Sequence, residues 1–416
     1  MFSRLRNDFP ILDTRVGESP LSYLDSGATS QKPQCVIDTF TEYYSQRNAA
    51  VHRGAHTLAV MATDAFEAGR EGVANLVGGT PEQVVWTKNA TEALNIVALG
   101  IDRASHGFGG EAAKRFGLGP EDSIVVTEME HHANLVPWQQ LAESTGAQLR
   151  WIPVTDTGEL DLSDLESIVD ETTKVFAFTH VSNVLGTINP VQRLVGRARA
   201  VDSLVVLDAC QSVPHMPVSF VDLDVDFAAF SAHKALGPTG LGSLWGKSDL
   251  LNSLPPVLTG GSMITTVTME ESRFMDAPQR FEAGTQPVAE VAAFTTAVNY
   301  LAEVGLDKIF DHERQLAAVL LDGIANIPGV TVLGAAEERI GTVAFDVAGV
   351  HAHDVGQYLD SQGVAVRVGH HCAQPLHRRF GVTATTRAST YLYNNTEDCE
   401  QLLTALAEVR SFFGAE

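Results

Sequence analysis

Seven short apolar runs between residues 84 and 245, separated by helical patterns, constrain the fold of this 416-residue chain more than any other feature. They cover residues 84–87, 124–127, 149–152, 175–179, 204–207, 227–230 and 243–245. Each is bounded and apolar with no long alternation, the pattern of parallel strands buried on both faces. Helices fit between them. Val36, Ile37, Phe40 and Tyr44 make one stripe behind Pro33. Phe66, Val73, Leu76 and Val77 make another, closed by Gly78-Gly79. The alternation predicts the α/β class, with a large, doubly wound, mainly parallel seven-stranded sheet.

Beyond residue 260 the pattern changes. Residues 260–287 read as irregular and rich in Gly, Thr and charge, and 291–301 as a helix. Strands at 342–346 and 364–368 then alternate with helices at 355–361 and 397–412, which predicts a small α+β domain. The expected division is a large domain over 20–285 and a small C-terminal one over 286–416, with residues 1–19 packing on the latter. A hydrophobic content of 44% suffices for two cores.

The formal charge of −23 disfavours nucleic acid or an anionic membrane as partner. No apolar run approaches membrane-spanning length, and residues 1–10 lack a secretory apolar core, so a cytoplasmic location is expected. Cys35, Cys210, Cys372 and Cys399 are scattered with no CxxC pair, which suits reduced thiols rather than a disulfide framework.

Doubly wound sheets carry their sites at the C-terminal ends of the strands. Asp208, His180 and Ser231 all fall at such ends. Lys234, in Ser231-Ala232-His233-Lys234, follows Asp208 by 26 positions (234 − 208). A Lys amine forms a Schiff base with an aldehyde cofactor, and a strand-end carboxylate can keep a pyridinium nitrogen protonated. Together they are what pyridoxal phosphate chemistry requires. An isolated Lys would be a surface residue, but the tight turn Gly237-Pro238-Thr239-Gly240 comes directly after this one. Asp208, at the end of an apolar run, needs a partner if buried. Gln211 lies within reach of a ring oxygen, or else on a turn surface.

Asn89 to Asn95 follows a strand and opens a helix, so its free N–H groups and the Thr91 hydroxyl form an anion site. A Thr there is also an ordinary helix cap. Glu130-His131-His132-Ala133-Asn134 follows another strand. One imidazole would stack on the cofactor ring and shuttle protons, the alternative being exposed loop histidines. Near the C-terminus, Arg367-Val368-Gly369-His370-His371-Cys372 sets a thiol among polar residues. A buried structural thiol is the alternative. His370, His371, Cys372 and His377 include zinc-ligand types, but adjacent side chains diverge and no CxxC or HxxxH frame is present, so no metal is expected. Cys210, at the edge of the cofactor pocket, reads as a small packed residue, and Cys35 and Cys399 as helical ones.

In combination and in order, these segments resemble one family. They are Thr91-Glu92, Glu130-His131-His132-Ala133-Asn134, Thr179 to Gly186, Asp208-Ala209-Cys210-Gln211, Ser231-Ala232-His233-Lys234, Arg280-Phe281-Glu282-Ala283-Gly284-Thr285 and Arg367 to Ala373. They look like the group II (SufS-type) cysteine desulfurases, pyridoxal phosphate enzymes of fold type I in the class V aminotransferase family. The resemblance runs from about residue 20 to the C-terminus. It implies that Lys234 carries the cofactor and moves protons at the substrate Cα, and that His131 stacks on the ring and takes part in acid–base steps. Asp208 pairs with the pyridinium nitrogen and Gln211 contacts the phenolic oxygen. Thr91, Ser231 and His233 hold the phosphate, helped by Thr285 from a second subunit of a homodimer. Asn183 and Arg387 hold the substrate carboxylate, and Cys372 accepts the sulfur.

The implied reaction converts L-cysteine to L-alanine and leaves a persulfide on Cys372, passed to an acceptor protein of the SufE or SufU kind for iron–sulfur cluster assembly. Selenocysteine lyase or another class V enzyme is the nearest enzymatic rival, and a scaffold that keeps the fold without catalysis is the non-enzymatic one, disfavoured by the full residue set. His370, His371, His377 and Arg367 are expected to favour the attacking thiolate. Two positions depart from the family pattern: Ala90, where a second Thr is common, and Gln286-Pro287 after Thr285 in place of Pro-Asn.

Overall fold

A computed structural model describes residues 1–415. All seven apolar runs form strands of one sheet: β1 (Val84–Thr87), β2 (Ser123–Thr127), β3 (Gln148–Ile152), β4 (Thr173–Thr179), β5 (Leu204–Asp208), β6 (Phe227–Ser231) and β7 (Gly242–Gly246). Their order across the sheet is β1-β7-β6-β5-β4-β2-β3. The β2–β3, β2–β4, β4–β5 and β5–β6 pairs are parallel. β7 is antiparallel to both neighbours, against the expectation of a parallel strand. The reason is chain length. Only residues 232–241 separate β6 from β7, too few for a crossover, which takes a dozen or more. β3 also departs from full burial: it is an edge strand, and Trp151 on it is 56% exposed.

The helices Gln34–Glu42 and Thr57–Leu76 stand where the stripes predict. Phe66 and Val73 are buried, whereas Ile37 and Tyr44 face outward and Val36 and Tyr43 point to the core. Helix Val288–Val304 packs on both of these helices, and its Val291 and Phe294 join the main core. Gly242 on β7 lets the start of helix Ala90–Ser105 approach the sheet: a Cβ on it would lie 2.5 Å from the Cα of the capping residue Asn89.

Residues 330–389 supply a four-stranded antiparallel sheet, ordered Val330–Val332, Thr342–Val347, Thr385–Ser389, Arg367–Gly369. Helices Leu306–Ala325, Ala352–Ser361 and Thr396–Phe412 pack around a separate core with it, in which Leu320, Phe345, Leu359 and Leu402 are buried. The run 364–368, read as one strand, divides in two. Val364–Ala365 pairs in parallel with Ser22–Tyr23, and Arg367–Gly369 joins the antiparallel sheet. The N-terminal segment is tied down by the Phe9–Tyr393 contact (4.8 Å between ring centres) and the Arg6–Asp398 ion pair (2.9 Å).

The stretch 260–287, read as irregular, contains an antiparallel hairpin of Ile264–Val267 with Ser272–Phe274, exposing Val267 and Met269. Among the described residues no helix is long and apolar enough to cross a membrane.

Candidate active site

Strand ends and the loops that leave them enclose a cavity of about 190 Å3. Asp208 closes β5, is buried, and accepts a hydrogen bond at Oδ1 from the Cys210 backbone N–H (2.9 Å). Lys234 ends the short turn Ala232–Lys234 that follows β6, and it lines the same cavity with Ser231 and His233. Ser231 Oγ accepts from the Ala90 N–H (2.9 Å), and Asn89 Oδ1 accepts from the Glu92 N–H (2.9 Å). Helix Ala90–Ser105 therefore begins at the cavity wall, with Thr91 on the lining. Its N-terminal N–H groups and dipole favour an anion there. Ala90, the departure from the family's Thr, contributes its N–H through Ser231.

His131 Nδ1 accepts from the Ala133 N–H (3.0 Å), which leaves the ring proton on Nε2. Burial, and then the charge on Lys234, push His131 down to about 4, with Asp208 opposing. The imidazole is thus neutral near pH 7. Glu130 lies buried next to it and accepts from Thr127 Oγ1 (2.5 Å), Asn134 Nδ2 (2.5 Å) and the Thr179 N–H (3.0 Å). Burial pushes its carboxyl up to about 8 against the pull of these donors.

Gln211 Nε2 donates to the Gly27 carbonyl (2.9 Å), and its Oε1 is buried with no partner. Arg387 is also buried. Its Nη1 donates to the Asn183 carbonyl (2.8 Å) and its Nη2 to Asp25 Oδ1 (3.1 Å), while Nε has no partner. Burial pushes Arg387 down to about 10, with Asp25 opposing. Gly27 makes room for it, since a Cβ there would approach Arg387 Cζ to 3.1 Å.

This set fits pyridoxal phosphate. It combines an amine, a buried acid and a helix N-terminus around one cavity, with buried polar atoms on Gln211 and Arg387 that a bound molecule would satisfy.

Cys372 is half-buried and does not itself line the cavity. Arg367, which does, brings Nη2 to 3.5 Å from its Sγ. His371 and Cys372 both adopt left-handed backbone conformations (φ 49° and 57°). Asn183 Nδ2 donates to the His371 carbonyl (2.8 Å), which links the Asn183–Arg387 pair to the cysteine loop. His371 and His377 both place Nε2 against Thr385 Oγ1 (2.9 and 3.0 Å) and are buried. Burial pushes His371 down to about 2 and His377 down as well. Neither supplies the positive charge expected of it, whereas the Arg367 guanidinium touches the sulfur.

Thr285 is exposed and does not border its own chain's cavity. The segment just before it is fixed by Glu282, which holds buried Arg70 through two bonds (2.7 and 3.0 Å) and accepts from the Trp86 N–H (2.8 Å). His180 sits after β4, but its side chain lies outside the cavity; only its backbone N–H reaches the site strand, at the Asp208 carbonyl (2.9 Å). Asp25 and Gly27 belong to the site and carried no local signal, because their partner Arg387 is about 360 positions away.

The aminotransferase class-V family model matches residues 22–402. A probable cysteine desulfurase 2 of Mycobacterium leprae is 51% identical, over 100% of this chain and 98% of that protein. A cysteine desulfurase of Haloferax volcanii is 44% identical, over 98% and 97%. Among solved structures, the apo cysteine desulfurase of Thermococcus onnurineus NA1 superposes with a TM-score of 0.91 at 36% identity, over 98% of each chain. The Escherichia coli cysteine desulfurase CsdA does so with 0.89 at 35%, over 99% of each. With its strand-end aspartate, its lysine in the turn after the next strand and its thiol-bearing loop, the chain belongs to the aminotransferase class-V family, among the cysteine desulfurases.

Proposed function

We infer that the chain is an L-cysteine desulfurase of the group II, SufS type. It takes sulfur from L-cysteine, releases L-alanine and holds the sulfur as a persulfide on Cys372. The observation that carries this reading is the meeting of Lys234 and Asp208 in one cavity whose Arg367 also touches the Cys372 sulfur.

The cofactor is pyridoxal 5′-phosphate, which when bound supplies an electron sink for the pair released at the substrate Cα. Lys234 would hold its aldehyde carbon, Asp208 its ring nitrogen and Gln211 its ring oxygen. Thr91, Ser231 and His233 hold its phosphate. Arg387 and Asn183 bind the substrate carboxylate; the unpartnered Arg387 Nε supports this assignment. Lys234 Nζ would accept the proton from the substrate Cα. His131, neutral and with its proton on Nε2, stacks on the ring and serves the proton transfers.

The Cys372 thiolate then attacks the substrate sulfur. The Cβ–S bond breaks, a S–S bond forms, and the released electron pair stays with the carbon skeleton, which takes up protons to become alanine. Overall, L-cysteine and a protein thiol give L-alanine and a protein persulfide, with no external oxidant or reductant.

The persulfide passes to an acceptor of the SufE or SufU kind, for iron–sulfur cluster assembly in the cytoplasm. The working unit in this reading is a homodimer in which Thr285 of one copy reaches the other copy's phosphate. Its exposure on a segment anchored by Glu282 supports this. So does an open groove of about 580 Å3 beside His131, with Leu99 and Val136 on its walls.

Alanine release from L-cysteine tests the reading. Cys372→Ala should keep the cofactor's visible band at about 420 nm and lose alanine release, and Lys234→Ala should lose the band itself. A candidate acceptor should raise the wild-type rate. Undiminished sulfur transfer by Cys372→Ala would refute the assigned nucleophile.

A further inference from the structure

The two adjacent histidines after β2 face different tasks. His131 borders the cofactor cavity. His132 turns to the loop that carries Cys372 and grips it at two points. Its backbone N–H donates to the Cys372 carbonyl (2.7 Å), and its Nε2 accepts from the Gln374 N–H (3.2 Å). An Nε2 that accepts requires the ring to be neutral with its proton on Nδ1. Burial, with His370 beside it (5.5 Å between ring centres), lowers the His132 pKa and favours that neutral form.

What this grip restrains is costly. Two consecutive non-glycine residues, His371 and Cys372, hold left-handed backbone angles. Such residues cost on the order of 1–3 kcal/mol each and persist only where their surroundings enforce them. Several bonds enforce them, among them the one between His371 Nε2 and Thr385 Oγ1 (2.9 Å). Asn183 Nδ2 holds the His371 carbonyl (2.8 Å), the Ala373 N–H returns to the His370 carbonyl (2.8 Å), and His132 holds the positions on either side of Ala373. Of these, the His132 backbone bond ends on the Cys372 carbonyl itself, and its side-chain bond ends on the Gln374 N–H two residues further along the loop.

We propose that His132 is a positioning residue for sulfur transfer. By clamping Cys372 and Gln374 it registers the thiol against the ring that His131 touches. The proposal rests on the assignment of Cys372 as the sulfur acceptor. Its side chain acts after the substrate is bound and deprotonated, so its loss should slow the sulfur step and spare the earlier ones.

The test uses the holoenzyme with His132→Leu, His132→Ala and His132→Gln; the Gln Oε1 can occupy the place of Nε2 and accept from Gln374. Three quantities are read: the cofactor absorbance change on mixing with L-cysteine, the single-turnover rate of sulfur appearing on Cys372, and the rate at which iodoacetamide alkylates Cys372 without substrate. The Leu and Ala variants should show the absorbance change with wild-type amplitude and rate. Their sulfur transfer should fall on the order of 100-fold, the cost of a misplaced reacting group. Alkylation of Cys372 should change several-fold as its loop is released. The Gln variant should recover most of both losses.

Wild-type transfer and alkylation in the Leu and Ala variants would overturn the proposal. So would a Gln variant as impaired as Leu, since the accepting atom would then be irrelevant. A Cys372→Ala control that still accumulated protein persulfide would instead overturn the assignment of the nucleophile.

Discussion

A neutral imidazole at His131 and a confined guanidinium at Arg387 set the local rules of this site, and each makes a prediction. His131→Phe keeps a flat ring to stack but removes the proton on Nε2. It should retain the cofactor band while kcat falls by about 100- to 10,000-fold, the usual worth of a positioned acid or base; steady-state kinetics with absorbance spectra would check it. Gly27→Ala puts a methyl at 3.1 Å from Arg387 Cζ. If Arg387 binds the substrate carboxylate, KM for L-cysteine should rise more than kcat falls. An unchanged KM would dissociate Arg387 from substrate binding. The residues legible in the sequence were those with a local signature. Asp208 ends an apolar strand, and Lys234 precedes a Gly-Pro turn. Asp25 was illegible because its partner comes from a distant strand, and the neutrality of His371 and His377 depends on burial that adjacency in sequence does not reveal.

At the scale of elements, the buried Arg70–Glu282 pair joins helix Thr57–Leu76 to the segment that presents Thr285. Both side chains are almost wholly buried (1% and 4% exposed), so removing Glu282 leaves the buried Arg70 charge with only the part-exposed Glu67 (2.9 Å) to balance it. Glu282→Ala should therefore lower the unfolding free energy by about 3–5 kcal/mol, read from the urea midpoint. A loss under about 1 kcal/mol would place this pair with ordinary surface ion pairs. The strands of the main sheet were readable from their apolar runs because burial on both faces leaves a plain compositional mark. Direction was not readable from the runs themselves. β7 is as buried as its neighbours, and only the short connection from β6 dictates that it runs antiparallel. The hairpin Ile264–Val267/Ser272–Phe274 escaped because its mostly exposed residues lack the apolar contrast that marks a buried strand.

Across the whole molecule, burial sets the response to acid. His131, His180 and His233 are pushed down to about 4, His371 to about 2, and His132, His312 and His377 are also lowered. A histidine whose folded pKa is depressed contributes its full stability above the unfolded value of about 6.5 and loses it as pH falls toward the folded value. Asp25, Glu130 and Glu313, pushed up chiefly by burial, act in the opposite sense and weaken the fold as pH rises. Seven groups against three predict that the urea midpoint of the holoenzyme falls between about pH 6.5 and pH 4.5. A midpoint that rises over that window would mean the carboxyls dominate.

All of these scales meet at one sulfur atom. Holoenzyme mixed with a single equivalent of L-cysteine, quenched, alkylated and digested, should carry the added mass of one sulfur on the peptide containing Cys372, in step with alanine formation. Alanine formed with that peptide unmodified, or with the extra sulfur on Cys210, would contradict the account.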